Sequence, residues 1–166
     1  MSLVHQMATV VAPWAEFYNG SKVAQTAVSF GHFGGMMTAG GFALAADRAT
    51  LKAVTAPATE HPRHLRELSA IHPIVLGALA VTGVSGLLMF AADLESLIAT
   101  PAFWVKMGLV GLLLFNGWVM LKAERRLESG DPSDARGWTR LRTASLVSLV
   151  LWFAVVLAGS ILPNVS

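Results

Sequence analysis

From Val23 to Ala46 the chain runs for 24 residues, VAQTAVSFGHFGGMMTAGGFALAA, without a charged side chain. As a helix rising 1.5 Å per residue, such a stretch reaches about 36 Å, enough to cross a hydrocarbon core of roughly 30 Å. Three more apolar stretches follow at about residues 70–92, 102–121 and 143–162, with Lys106 the one charge inside them. In oil, backbone polar groups must be satisfied internally, which leaves helices or a closed barrel. Runs of this length favour helices. The expected fold is all-α: an integral membrane antiparallel four-helix bundle with a short N-terminal interfacial helix, forming a single membrane domain over residues 1–166.

The totals agree with that reading. Charged residues make up 13% of the chain and hydrophobic ones 54%, where a soluble domain averages about 25% charged. The net charge of +2 would suit a nucleic-acid partner. The basic residues, however, sit in two interhelical segments and not in one patch interleaved with aromatics, so no nucleic acid is expected. The expected partner is the lipid bilayer, with subunits of a membrane complex or a second copy as further candidates. The absence of cysteine excludes disulfides, thiolate metal sites, iron–sulfur clusters and haem attached through CxxCH.

The opening segment lacks the basic start of a signal peptide. Leu3, Val4, Met7, Val10, Val11 and Trp14 recur at helical spacing, and Trp14, Phe17 and Tyr18 suit a headgroup-level anchor. This gives an interfacial helix over 3–18, broken at Asn19-Gly20. Pro73 falls in the first turn of the second span, and Thr100-Pro101 starts the third. Gly130, Asp131 and Pro132 break the chain before the fourth, which Pro163 and Asn164 end. Of the twelve Lys and Arg, only Lys22 and Lys106 lie outside the two charged segments. By the positive-inside rule, both charged loops face the cytoplasm. Both termini and the Asp93–Thr100 turn then face the periplasm, in a bacterial inner membrane.

His32 lies inside the first apolar run, roughly 13 Å deep by helix rise. An ionisable residue at that depth is a functional candidate by default; the bland alternative is a neutral imidazole bonded to a hydroxyl or carbonyl. Lys106, Met89 and Met107 fall in the same outer half. Imidazole with a thioether or amine is an acceptable axial pair for haem iron. His32, Lys106, Met89 and Met107 therefore form the candidate cofactor site, with His32 as the iron ligand. Against this, a lysine near a helix end can snorkel, and methionine is commonly filler. His72, a weaker metal candidate, lies on the order of 15 Å from His32 along the membrane normal. His61 and His64 are expected in a solvated loop, Asp47-Arg48 as a helix-end ion pair, and Asn116 in an interhelical hydrogen bond. No nucleophile–base pair, phosphate loop or paired carboxylate appears, so nothing supports hydrolysis or phosphoryl transfer.

The segment HFGGMMTAGGFALAADR resembles the first helix of a group of small bacterial four-helix membrane proteins, with His32, Gly35, Gly41, Asp47 and Arg48 in the matching places. TGVSGLLMFAADLESLIATPAFWVKMGLVGLLLFNG is similar to a second block of the same group through Thr82, Gly86, Leu87, Leu88, Phe90, Pro101, Ala102, Phe103, Lys106 and Asn116. More distantly, the chain resembles the copper-resistance D family and the HemJ-type protoporphyrinogen oxidases. The resemblance to the latter implies a haem b in the bundle, with His32 and Lys106 as functional positions. Where that family has a histidine late in the third helix, this chain has Asn116 and Gly117. The expected function is a membrane protein binding haem b or porphyrin with a redox or electron-transfer role. The alternatives are a cofactor-free accessory or assembly subunit, and a copper-handling protein using Met36, Met37, Met89 and His32.

Overall fold

A computed structural model describes residues 3–131 and 134–162. Pro132, Pro163 and Asn164 lie outside the described residues. Among the described residues the fold is all-α, with six α-helices: α1 Leu3–Gly20, α2 Lys22–Ala53, α3 His61–Ala92, α4 Leu94–Ala99, α5 Pro101–Ser129 and α6 Ala135–Ile161. The helices outrun the apolar stretches that foretell them. Hydropathy marks where side chains meet oil. Backbone hydrogen bonding continues through LKA after Asp47 and through KAERRLES after Leu121, because Leu, Lys, Ala, Glu and Arg are strong helix formers. Local chemistry fixes the ends. Ser21 Oγ accepts from the Ala24 N–H at 3.2 Å, Pro101 occupies the first turn of α5, and Asp134 caps α6 by accepting from the N–H groups of Arg136 and Gly137.

The expected four-helix bundle is corrected in two respects. Three helical segments are long and apolar enough to cross a membrane: Ala58–Ala92, Pro101–Ser129 and Ala135–Ile161. α2 has the length, with 32 residues, but Gly31, Gly34, Gly35, Gly40, Gly41, Gln25 and His32 dilute its apolarity. Nor do the long helices close into a ring. α2 packs along α3, α5 along α6, and α2 joins the two hairpins through α6, whereas α3 and α5 barely meet. One flank of the molecule is an open slot.

The exterior is oily. At most 28% of any of the three apolar windows is buried within the chain, and Phe30, Val84, Leu87, Trp104, Phe115 and Phe153 all point outward. Without water to drive helices together, contact depends on close fit. Two glycines of α2 supply it. A Cβ on Gly35 would lie 2.5 Å from Thr82 Oγ1 and 2.8 Å from the Ala78 carbonyl oxygen, so α3 sits directly on the α2 backbone. A Cβ on Gly40 would lie 3.3 Å from the Trp152 ring of α6. One apolar cluster, Ala39, Ala78, Leu113, Trp152 and Val155, surrounds this junction. A second, containing Ala53, Leu65, Leu127, Trp138 and Leu141, gathers the charged-segment ends of α2, α3, α5 and α6. α1 docks at the opposite end, where the Trp14 indole N–H donates to the Leu88 carbonyl at 2.8 Å.

Gly35 and Gly34 are thus adjacent controls. Gly35→Val forces α2 off α3 and lowers stability by about 1–3 kcal/mol, the usual cost of overpacking. Gly34→Ala, where a Cβ meets nothing within 4 Å, leaves it unchanged. Thermal unfolding of the two detergent-solubilised variants checks this.

Candidate functional site

His32 sits half-buried where α2 crosses α3. Its Nδ1 lies 3.0 Å from the Thr82 carbonyl oxygen and 3.3 Å from Ser85 Oγ. The Ser85 hydroxyl is drawn to the Val81 carbonyl at 2.7 Å, so Nδ1–H donates to Thr82. The ring rests on Gly86, where a Cβ would come within 3.2 Å of Cε1. Lys106 is half-buried on α5, with Nζ beside Gly159 of α6 and within electrostatic reach of His32. Met89 is half-buried and Met107 faces outward. Met36 packs into the central apolar cluster while Met37 is 76% exposed, so the soft-ligand set of the copper reading points in opposite directions.

The metal-binding expectation is corrected. Among the described residues no group of three or more His, Asp or Glu side chains is arranged to hold a metal ion. His72 is engaged otherwise: its Nε2 lies 3.1 Å from Glu124 Oε2. No arrangement among the described residues singles out a haem or redox-cofactor site. The histidines of the charged segment are not solvated. His61 is buried with Nε2 3.2 Å from the Ala53 carbonyl and its ring 4.0 Å from that of Trp138. His64 Nε2 meets Thr50 Oγ1 at 3.1 Å. Asn116 does make an interhelical bond, its Nδ2 donating to the Ala144 carbonyl at 2.9 Å.

Asp47 is not a boundary ion pair. Successive helical residues face different ways, so Arg48 is exposed while Asp47 is 1% exposed, facing Ser145 and Ser148 of α6. From α5, Glu124 is likewise buried, at 4% exposure. The two carboxylates are within electrostatic reach of each other. Among the described residues, Asp47 Oδ2, Glu124 Oε1 and Ser145 Oγ have no hydrogen-bond partner, and the hydroxyls of Ser145 and Ser148 lie beside Asp47. Leaving a buried polar group unsatisfied costs about 1–3 kcal/mol, more when it is charged. Such a pair is therefore unusual unless something else meets it.

That pair closes one end of a cavity. The slot between α3 and α5 holds about 300 Å³, backed by α2 and α6. Its long walls are apolar, with Val75 and Leu79 of α3, Leu113 and Leu114 of α5, and Trp152 behind. Its polar end is Asp47, His72, Glu124 and Ser148. Sequence reading missed Glu124 by assigning it to a loop. The signal lay in spacing: Leu113, Gly117, Met120, Leu121 and Glu124 recur every three or four residues and all line the cavity, so Glu124 continues an inward stripe past the apolar boundary.

The chain matches no known family model, no curated protein and no solved structure. The assignment of function therefore rests on the cleft itself.

The His72–Glu124 contact is measurable. An imidazole nitrogen 3.1 Å from a buried carboxyl oxygen makes a coupled pair, and contacting residues show interaction energies of about 0.5–3 kcal/mol. In a thermal-unfolding cycle of His72→Ala, Glu124→Gln and the double variant, coupling of about 1–2 kcal/mol is expected. Strict additivity would show that the two side chains do not interact.

Proposed function

We propose that this chain is a multi-pass membrane protein that binds an amphiphilic small molecule, taken up sideways from the bilayer, in the cleft between α3 and α5. One observation carries the reading. Two buried carboxyl side chains, Asp47 and Glu124, each with one oxygen that has no hydrogen-bond partner among the described residues, are among the residues lining a cleft whose walls are apolar. An occupant suited to it has a hydrogen-bond-donating or cationic head and an oily tail. About 300 Å³ is the lower range of small-molecule sites.

The orientation follows from the charges. The ends of α2, α3, α5 and α6 that gather around Trp138 and Leu127 carry the two charged segments, with ten of the twelve Lys and Arg. The positive-inside rule places that end at the cytoplasmic face of a bacterial inner membrane. The polar head of the cleft then lies in the inner leaflet. Ionisable groups inside a membrane are expensive, and proteins that keep them use them. Asp47, Glu124 and His72 bind the head, and the α3 and α5 walls hold the tail.

Gly117 tests the reading. It lines the cleft, and a Cβ there would meet nothing within 4 Å, so a side chain added at this position starts into the slot from open space. Full-length protein extracted in mild detergent is expected to retain bilayer amphiphile through dilution, measured by mass spectrometry. Gly117→Phe lowers the retained amount by about tenfold, or about 1.4 kcal/mol, at unchanged melting temperature. Equal retention by both proteins would sink the proposal. A Soret band in the same preparation, lost in His32→Ala, would put a haem reading in its place.

A further inference from the structure

We propose that the outer face of α5 carries a site for one glycerophospholipid with a net negative head. Its phosphate lies on Lys122, Arg125 and Arg126, and one acyl chain runs over Trp118 and Phe115 toward Gly111. The cleft between α3 and α5 takes no part.

A concavity of about 380 Å³ on that face is lined by Trp118, Leu121, Lys122, Arg125, Arg126 and Ser129. Trp118 and Leu121 also line the cleft, and they form the partition between the two spaces. The three cations are exposed. Among the described residues none of the three is in an ion pair, and no acid lines the concavity. Lys122 Nζ stands 5.0 Å from the Trp118 ring centroid, which holds the ammonium at the lip. The Ser129 hydroxyl donates to the Arg125 carbonyl at 2.7 Å, so the three cations are left as the donors to an anion.

The order of charges along α5 asks for that anion. The positive-inside bias accounts for the number of cations at this end and not for their sorting by side. Residues four apart are neighbours on a helix, and opposite charges at that spacing stabilise it. Here the spacing pairs Lys122 with Arg126 and Glu124 with Glu128. Both pairs repel. Glu128 is within electrostatic reach of Glu124 and His72, so it stands with the acid of the cleft side. A phosphate on the shelf relieves the basic pair, and guanidinium groups match phosphate oxygens two at a time. A zwitterionic head brings its own cation onto a surface with no acid to receive it.

The rest of the face marks the anion as a lipid's. At about 3.6 residues per turn, positions 111, 115, 118, 122, 125, 126 and 129 lie within about 60° of one line. Phe115 and Trp118 are 60% and 54% exposed, with ring centroids 5.8 Å apart. Gly111 is exposed, and a Cβ there would meet nothing within 4 Å. Half of a hydrocarbon core of about 30 Å is covered by about ten residues of helix. From Lys122 that reaches Leu112, beside Gly111, so the stripe is one leaflet long. A soluble phosphate compound would leave the aromatic pair uncovered.

The test uses full-length protein in mixed micelles with equal mole fractions of dioleoyl phosphatidylglycerol, phosphatidylcholine and phosphatidylethanolamine. Lipid retained through dilution is counted by mass spectrometry. Phosphatidylglycerol is expected to be enriched about tenfold over phosphatidylcholine, falling to about twofold or less in Lys122→Gln/Arg125→Gln/Arg126→Gln. The enrichment is kept in Arg48→Gln/Lys52→Gln/Arg66→Gln, which removes the same charge from exposed positions on α2 and α3. A second measurement leaves the charges alone. Phosphatidylglycerol brominated on its acyl chains is expected to quench Trp118 emission, the part lost in Trp118→Phe, at a lower mole fraction than brominated phosphatidylcholine. That difference persists in Gly117→Phe. Equal enrichment of the three lipids, an equal loss in the two triple variants, or equal quenching by the two brominated lipids overturns the proposal. Loss of the quenching difference in Gly117→Phe places the lipid in the cleft, which overturns the shelf assignment and leaves the cleft reading standing.

Discussion

Contact between the α2 and α3 backbones at Gly35 determines much else in this molecule. In an oily surrounding there is little hydrophobic gain from bringing helices together, so association rests on close packing and on hydrogen bonds that lipid cannot offer. Gly35 lets α3 lie on the backbone of α2, and Gly40 lets Trp152 of α6 do the same one turn further on. α2 is therefore the central strut, and both hairpins hang from it. Once α3 and α6 are committed to α2, α5 follows α6, and α5 meets α3 at only a few points, among them the His72–Glu124 contact and the Phe90–Phe103 stack. The slot is a consequence of where the small residues are.

The polar groups follow from the same constraint. Ser85 and Thr82 return their hydroxyls to their own helix, to the carbonyls of Val81 and Ala78, and so add no exposed donor to the oily surface. His32 is satisfied by the Thr82 carbonyl, and Asn116 by that of Ala144. Each is closed within the protein. The exception is the polar end of the slot, where one oxygen of Glu124 is met by His72 while, among the described residues, the other, one of Asp47 and the Ser145 hydroxyl are not. The difference between satisfied and unsatisfied polar groups separates structural hydrogen bonds from the proposed site. It moves attention from His32 to Asp47, Glu124 and His72.

Much of the architecture is legible in the sequence. Three apolar runs mark crossing helices, Asn19-Gly20 marks the break after α1, and Thr100-Pro101 marks the start of α5. Three features are not legible, each for a physical reason. Lack of charge made Val23–Ala46 look like a fourth span, but freedom from charge is not the same as apolarity when glycines replace carbon-rich side chains. Helix ends were placed at the hydropathy boundary, although Leu, Lys, Ala, Glu and Arg sustain a helix beyond it. This moved His61, His64 and Glu124 from supposed loops into packed helix. Asp47 was joined to Arg48 because they are adjacent, although adjacency on a helix sends side chains apart.

Glu124 shows how the second and third of these errors compound. Its neighbours Lys122, Arg125 and Arg126 belong to a basic surface that the orientation of the protein alone explains, and a lone acid among them reads as charge balance. Its register is that of Leu113, Gly117 and Leu121, all of which line the cleft. On one helical segment, therefore, two stripes run side by side: an outward basic one and an inward one ending in a carboxylate. A pairwise salt bridge would have merged them. Instead Glu124 meets a histidine from α3, across the open side of the molecule, at the point where the two otherwise separate walls come together. The contact that bridges the slot is also the one that leaves a buried acceptor of Glu124 without a partner among the described residues.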